Sequence, residues 1–337
     1  MSEPLELQEA SLIKQLLPED FILVRDPPTP PETLAGAVVA IGNFDGVHRG
    51  HVAVIKRAEA LAERLGRRAV VLTFEPHPSD VFFGPNTIFR LTPRDAKAVA
   101  LARIGVSGMI VLTFDKALAS LTAEEFVSEV LLKRLAVGAV VAGYDFHFGK
   151  GRQGSPDFLR DAGKRHGFAV EIVERIGADA SGSIEAASST ATRTALEAGD
   201  VGRAAHLLGH PYSVLGTVVH GDKRGRELGF PTANMRLDKS SRLRFGIYVV
   251  EVGIAGRRYG GVASYGRRPT FDNGAPLLEV YIFAFAGDLY GKVIEVAFLD
   301  FIRGEEKFAS IEALKARIAR DEEIAREFLR QKGIANT

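Results

Sequence analysis

The chain has 337 residues, 46% of them hydrophobic and 25% charged, which is the balance of a globular protein and enough length for two domains. Lys and Arg number 43 against 42 Asp and Glu, so no basic surplus points to nucleic acid or an anionic membrane as the main partner. Cysteine is absent, which excludes disulfides, thiolate metal sites and cysteine nucleophiles and fits a reducing compartment.

The first twenty residues carry Glu3, Glu6, Glu9 and Glu19 and no apolar core of a signal segment, and no run is long enough to span a membrane. The expectation is a soluble cytoplasmic protein. Residues 1–34 are read as an N-terminal extension that ends in a stiff connector, Pro27, Pro28, Pro30 and Pro31. Ala37–Ile41 reads as a buried strand. Val52, Ile55, Ala58, Leu61, Ala62 and Leu65 mark one face of a helix stopped by Gly66, and Ala69–Phe74 is the next strand. A helix over 93–104 and a strand over Met109–Phe114 follow. Thr122 and Glu125 make a capping box ahead of Phe126, Val130 and Leu135. Val137–Ala142 is a strand, Ser155 and Pro156 open a helix that ends near Gly167, and Phe168–Val173 closes the series. Strands alternating with helices predict a Rossmann-like α/β domain with a parallel sheet over 35–187.

Ala178–Ala187 is a small-residue loop, and two short helices at about 190–198 and 201–208 form a connector over 188–209. After Pro211 the pattern changes. Tyr212–Val219, Gly246–Ile254, Arg258–Ser264, Leu278–Phe285 and Lys292–Ile302 read as strands joined by Gly-containing turns. That predicts a compact antiparallel barrel or sandwich over 210–337, closed by a helix near 310–330.

Two segments carry chemistry. The first joins the first predicted strand to the first helix and contains Gly42, Phe44, Asp45, Gly46, His48, Gly50 and His51. In a parallel sheet this junction lies at the carboxyl end of the strand, where ligands bind. Gly46 and Gly50 allow a tight turn and close approach, and the helix start offers free N–H groups and a positive dipole to an anion. His48 and His51 are one helical turn apart, placed to neutralise charge developing on a phosphate. The second segment follows the first strand of the C-terminal part and contains Gly221, Lys223, Gly225, Gly229, Thr232 and Asn234. Glycine every fourth residue with basic residues between suits a loop over phosphates, although the same pattern alone also suits a solvated hairpin. It is not a Walker A loop.

The first segment resembles the HxGH motif of the nucleotidylyltransferase superfamily. With Phe44-Asp45-Gly46 ahead of it, it resembles the prokaryotic bifunctional riboflavin kinase/FMN adenylyltransferase family. Thr73-Phe74-Glu75-Pro76-His77-Pro78, Gly143-Tyr144-Asp145-Phe146-His147-Phe148-Gly149 and Ser188-Ser189-Thr190-Ala191-Thr192-Arg193 are similar to further segments of that family. Gly229-Phe230-Pro231-Thr232-Ala233-Asn234 looks like its riboflavin kinase motif, on a six-stranded type of β-barrel with a terminal helix. The resemblance spans residues 35 to 328.

It implies that riboflavin and ATP give FMN and ADP in the C-terminal domain, and that FMN and ATP give FAD and diphosphate in the N-terminal one. It implies that His48 and His51 polarise ATP phosphates, with Gly42, Phe44, Asp45, Gly46 and Gly50 of the same loop binding ATP. Ser189, Thr190 and Arg193 would hold the β and γ phosphates, and Asp145, Phe146 and Phe148 would lie near the flavin. In the kinase, Gly221, Lys223, Gly225 and Gly229 would cover ATP, Thr232 and Asn234 would bind Mg2+ and phosphate, and Glu279 would be the base for the ribityl 5′-hydroxyl. The implied partners are flavins and ATP, not nucleic acid or membrane.

The sequence departs from the family pattern in four places. Ala191 stands where arginine is common, Ser264 where asparagine is common, and Tyr281 and Ala284 where histidine and aspartate are common. Two other readings accompany the bifunctional one. They are an FMN adenylyltransferase with a weak or altered kinase domain, and a non-catalytic flavin-binding regulatory protein of the same fold.

Overall fold

The computed structural model describes residues 13–175, 187–221, 229–267 and 276–334. Lys223 and Gly225 lie outside the described residues. The chain divides into two compact units, Met1–Ser189 and Thr190–Thr337.

In the first unit, β1 (Ile22–Arg25), β2 (Val38–Ile41), β3 (Ala69–Glu75), β4 (Gly108–Thr113), β5 (Ala139–Gly143) and β6 (Ala169–Val173) form one parallel sheet, in the order β1-β4-β3-β2-β5-β6. Helices α1 (Arg49–Leu65), α2 (Pro78–Phe83), α3 (Arg94–Ile104), α4 (Lys116–Ser120), α5 (Ala123–Glu125) and α6 (Pro156–His166) lie between the strands. A π-helical stretch, Phe126–Arg134, continues α5, and the Thr122–Glu125 capping box forms as expected. Every residue of β2 is buried, as a strand covered on both faces requires. Val38 and Ala40 enter one core with Ile55 and Ala58 of α1, while Val39 and Ile41 enter the opposite core with Phe126 and Val130.

One expectation needs correction. Ile22–Arg25 was read as part of an extension, yet it pairs in parallel with β4, Ile22 opposite Gly108 through Arg25 opposite Val111. A Cβ at position 108 would come within 2.3 Å of the Ile22 carbonyl oxygen, so Gly108 permits that approach. The prolines connect this edge strand to the rest of the sheet and do not separate it from the domain.

The second unit carries α7 (Ser189–Ala198, beginning at the last residue of the first unit) and α8 (Val201–Leu208), then an antiparallel sheet. Its strands are β7 (Tyr212–Thr217), β8 (Thr232–Met235), β9 (Gly246–Ile254), β10 (Arg257–Arg267), β11 (Pro276–Ile282) and β12 (Val293–Arg303), ordered β7-β12-β9-β10-β11-β8. An antiparallel bridge between Val219 and Asn234 brings the chain just beyond β7 back to β8 and draws the two edges of the half-barrel together. The terminal helix α9 (Ile311–Gln331) sets Ala325 and Leu329 against Val249 and Phe283. Among the described residues no helix is long and apolar enough to cross a membrane.

Candidate active sites

Strand β2 marks the reversal of strand order. The chain runs from β2 outward through β3 to β4, then returns to β5 on the other side of β2. Ligands of open α/β sheets bind outside the carboxyl ends of the strands at such a point. Three loops follow the carboxyl ends of the adjacent parallel strands β3, β2 and β5: Pro76–His77, the HxGH loop and Gly143–Gly149.

The HxGH loop is backbone-strained. Phe44, Gly46 and Val47 have φ of 48°, 87° and 44°, and for a β-branched valine that is a genuine outlier. Phe44 and Val47 are buried and pin the loop. His48 is the N-cap of α1, and its Nδ1 accepts from the His51 backbone N–H at 3.3 Å. With Nδ1 accepting that bond, the ring proton of His48 is placed on Nε2. The His48 and His51 rings stack at 3.6 Å with 19° between their planes, and Phe44 packs on His51 at 5.2 Å. A Cβ on Gly50 would lie 3.1 and 3.2 Å from the His48 ring, so glycine leaves that ring its place. Gly42 is covered by the Phe44 ring in the same way.

Asp45 points its carboxylate into the protein. Its carboxylate is buried, 4% exposed, and accepts from Thr92 N–H at 2.9 Å. A carboxylate turned inward braces the loop and keeps negative charge away from an incoming phosphate. Ser189 donates from Oγ to the Asp45 carbonyl oxygen at 2.8 Å, which ties the first residue of α7 to this loop. Thr190 and Arg193 lie on the first turns of α7.

On the β5 loop, Asp145 is exposed, Phe146 half-buried and Phe148 buried. Phe148 stacks under Phe146 at 5.5 Å and meets Phe126 and Phe158, so it supports the loop from the core and leaves Asp145 and Phe146 facing outward. Two residues not foreseen as site candidates stand at the end of α2. Phe82 and Phe83 are 62% and 76% exposed, with Phe82 edge-on to Phe114. Large exposed aromatics at a helix end are a signal that sequence periodicity does not register.

The second site is built by strand register. Asn234 on β8 lies directly opposite Glu279 on β11, which lies opposite Ser264 on β10, itself opposite Ile247 on β9. Directly paired residues share a sheet face, so Asn234, Glu279 and Ser264 form one row. Two residues along, Thr232 lies opposite Tyr281. Asn234 is 5% exposed, and its Oδ1 is buried without a hydrogen-bond partner among the described residues. Its Nδ2 donates to the Thr232 carbonyl oxygen at 3.3 Å. Gly221 lies against this amide, while Gly229 has φ of 92° and opens the turn into β8. The Tyr281 ring meets Phe230 and Phe283. Burial, with Glu322 nearby, pushes the Tyr281 phenol above its usual value, while Arg326 acts in the opposite direction.

Comparison with known proteins accounts for both units. Residues 31–190 match the family described as FAD synthetase, and residues 208–329 match the riboflavin kinase family. The bifunctional riboflavin kinase/FMN adenylyltransferase of Escherichia coli K12 is 42% identical over 294 residues, covering 87% of this chain and 93% of that protein. This chain belongs to the bifunctional riboflavin kinase/FMN adenylyltransferase family. Its relative of the same name in Bacillus subtilis is 37% identical over 303 residues, covering 87% and 93%. A crystal structure described as a macrolide-efflux protein from Streptococcus pneumoniae superposes with a TM-score of 0.78 at 32% identity, over 91% of this chain and 99% of that one. The two family matches fall on the two parts of the chain that hold the unlike candidates, a helix-start imidazole pair and a strand-borne carboxylate.

Proposed function

We propose that the HxGH loop and the Thr232–Asn234–Glu279 row are the two catalytic centres of a bifunctional riboflavin kinase and FMN adenylyltransferase. The chain makes FMN from riboflavin and ATP, then FAD from FMN and ATP. The observation that carries the two-centre reading is that each set of candidates lies inside one compact unit. His48 and His51 belong to the first, and Thr232, Asn234 and Glu279 to the second.

In adenylyl transfer an FMN phosphate oxygen attacks the α-phosphorus of ATP, and the bond to the diphosphate oxygen breaks. No covalent enzyme intermediate is needed, so positioning and charge stabilisation carry the rate. His48 Nε2–H and the His51 ring supply donors beside the N–H groups of α1, where charge grows on the phosphate oxygens. The exposed Asp145 and Phe82, with the half-buried Phe146, offer a polar contact and aromatic surface for the flavin.

In the kinase, the riboflavin 5′-hydroxyl attacks the γ-phosphorus and Glu279 takes its proton as ADP departs. Glu279 is fixed by its ladder to β10 and β8. The residues present fit Mg2+, because Asn234 Oδ1 is a buried oxygen without a partner among the described residues, the donor type this ion prefers. Asn234 and Thr232 would hold the ion, which supplies charge neutralisation on the phosphates when bound.

The test is chromatography of flavins formed by the purified chain with ATP and Mg2+, starting from riboflavin or from FMN. His51→Ala is expected to abolish FAD while FMN still forms. Glu279→Ala is expected to abolish FMN formation while FMN is still converted to FAD. Loss of both activities in either variant overturns the two-centre reading.

A further inference from the structure

We propose that Thr92, which belongs to none of the motif segments, is a positioning residue for adenylyl transfer, holding the HxGH loop in its strained conformation. This rests on the reading of His48 and His51 as the adenylyl-transfer centre. Thr92 lies 44 positions beyond His48, just before α3, and is buried. Its Oγ1 accepts from the Gly46 backbone N–H at 2.8 Å. Its hydroxyl has two acceptors in reach, the Phe44 carbonyl oxygen 3.3 Å and Asp45 Oδ1 3.4 Å from Oγ1. Its backbone N–H donates to the same Asp45 oxygen at 2.9 Å. One side chain and its amide thus bind three successive residues of the loop.

Those residues flank the strain. Phe44 and Val47 sit in the left-handed region, which non-glycine residues hold only when surrounding structure over-determines it. His48 follows Val47 directly, so the direction in which its Nε2–H points is set by the backbone that Thr92 secures. A second tether bears on the loop's start. Lys97, 3% exposed, donates to Thr73 Oγ1 at 3.2 Å and to Glu75 at 3.0 Å, and Thr73 donates to the Asn43 carbonyl oxygen at 3.1 Å. Arg90 pairs with the other Glu75 oxygen. This buried set leaves the Asn43 end fixed independently, so removing the Thr92 hydroxyl frees only the segment from Phe44 to Gly46.

The experiment uses the full chain and compares Thr92→Val, which keeps shape and loses the hydroxyl, with Thr92→Ser, which keeps the hydroxyl. FAD formation from FMN is measured as kcat and KM, and total FMN plus FAD from riboflavin reads the kinase. Thr92→Val is expected to lower kcat for FAD formation by about 100-fold, the scale of an ångström-level misplacement, with KM for FMN near the parental value. Thr92→Ser is expected to recover most of it, and kinase output is expected to be unchanged in both. Parental FAD formation by Thr92→Val overturns the proposal. So does loss of both activities together, which marks a folding defect, and so does a Ser variant as impaired as the Val variant. His51→Ala runs alongside: if it retains FAD formation, the centre itself is misassigned, and if it loses FAD formation while Thr92→Val does not, only the role of Thr92 falls.

Discussion

Replacing Gly221 with alanine tests the kinase site through a residue that performs no chemistry. A Cβ on Gly221 falls 2.5 Å from Asn234 Nδ2, 2.6 Å from Cγ and 2.8 Å from Oδ1. Ordinary contact between such atoms is about 3.5 Å, so the amide must retreat by about 1 Å. It has little room to do so. Asn234 is buried, its backbone carbonyl accepts from Val219 N–H at 2.8 Å, and its strand is paired to β11. A 1 Å misplacement of a binding group costs about 100-fold in rate, or about 2.7 kcal/mol of barrier. The assay is total FMN plus FAD formed from riboflavin at saturating ATP and Mg2+. FAD formation from FMN in the same preparation is the folding control, because His48 and His51 lie in the other unit. Full kinase activity in Gly221→Ala would show that the Asn234 amide is not held where its ligand role requires it.

Gly50→Ala is the adenylyltransferase counterpart. The new Cβ would stand 3.1 Å from His48 Cε1, so the ring gives by a few tenths of an ångström, and FAD formation is expected to fall several-fold with FMN formation intact. Asp321→Ala removes a carboxylate, 2% exposed, that accepts from Arg303 Nε and Nη2. Arg303 keeps the Gly304 carbonyl oxygen and a longer ion pair with Glu306 at 3.8 Å, but loses its buried carboxylate partner; breaking a buried pair costs about 3–5 kcal/mol, read as a lower denaturation midpoint, and a loss under about 1 kcal/mol refutes the assignment. At Asp26 burial raises the carboxyl pKa, but the hydrogen bonds from Thr113, with Arg134, outweigh it and leave the net value below the ordinary 3.8. A lowered folded value stabilises above the ordinary one and is lost as pH falls through the folded value. Asp26→Asn is therefore expected to destabilise at pH 7 and to match the parent at the acid end. An equal gap at both ends sinks the argument.

What the sequence made legible was local. The strand–loop–helix around His48, the Thr122–Glu125 cap and the alternation of β11 each depend on neighbours a few positions apart. The braces depend on distance. Thr92 reaches Gly46 across 46 positions, and Lys97 reaches Glu75 across 22, so no short window shows them. Edge strand β1 was missed for the same reason, since its partner β4 lies more than 80 residues on. Glu279 could be placed on a strand from the sequence, but its standing opposite Asn234 is a matter of register. Burial is likewise a matter of distance: the Phe148 ring packs in the core against Phe146, which its motif position does not show.

The two sites solve the positioning problem in different ways, and this determines where substitutions act. The proposed adenylyl-transfer site takes its histidines from a loop with positive-φ residues, and the buried bonds that hold this loop come from Thr92, far away in sequence. The kinase row takes its groups from strands whose ladder already fixes spacing, so control lies in the immediate cross-strand neighbours. Ser264 and Tyr281 bear on the kinase for that reason. Ser264 is paired with Glu279 itself, and Tyr281 with Thr232. Neither replaces a group assigned to chemistry. Each changes the surface beside a proposed site residue: a shorter side chain beside Glu279, and a larger ring beside Thr232. Their effect should therefore appear in KM for riboflavin or ATP before it appears in kcat. Changing Tyr281 to histidine, the residue common in the family, should move the same constant and leave FAD formation from FMN untouched.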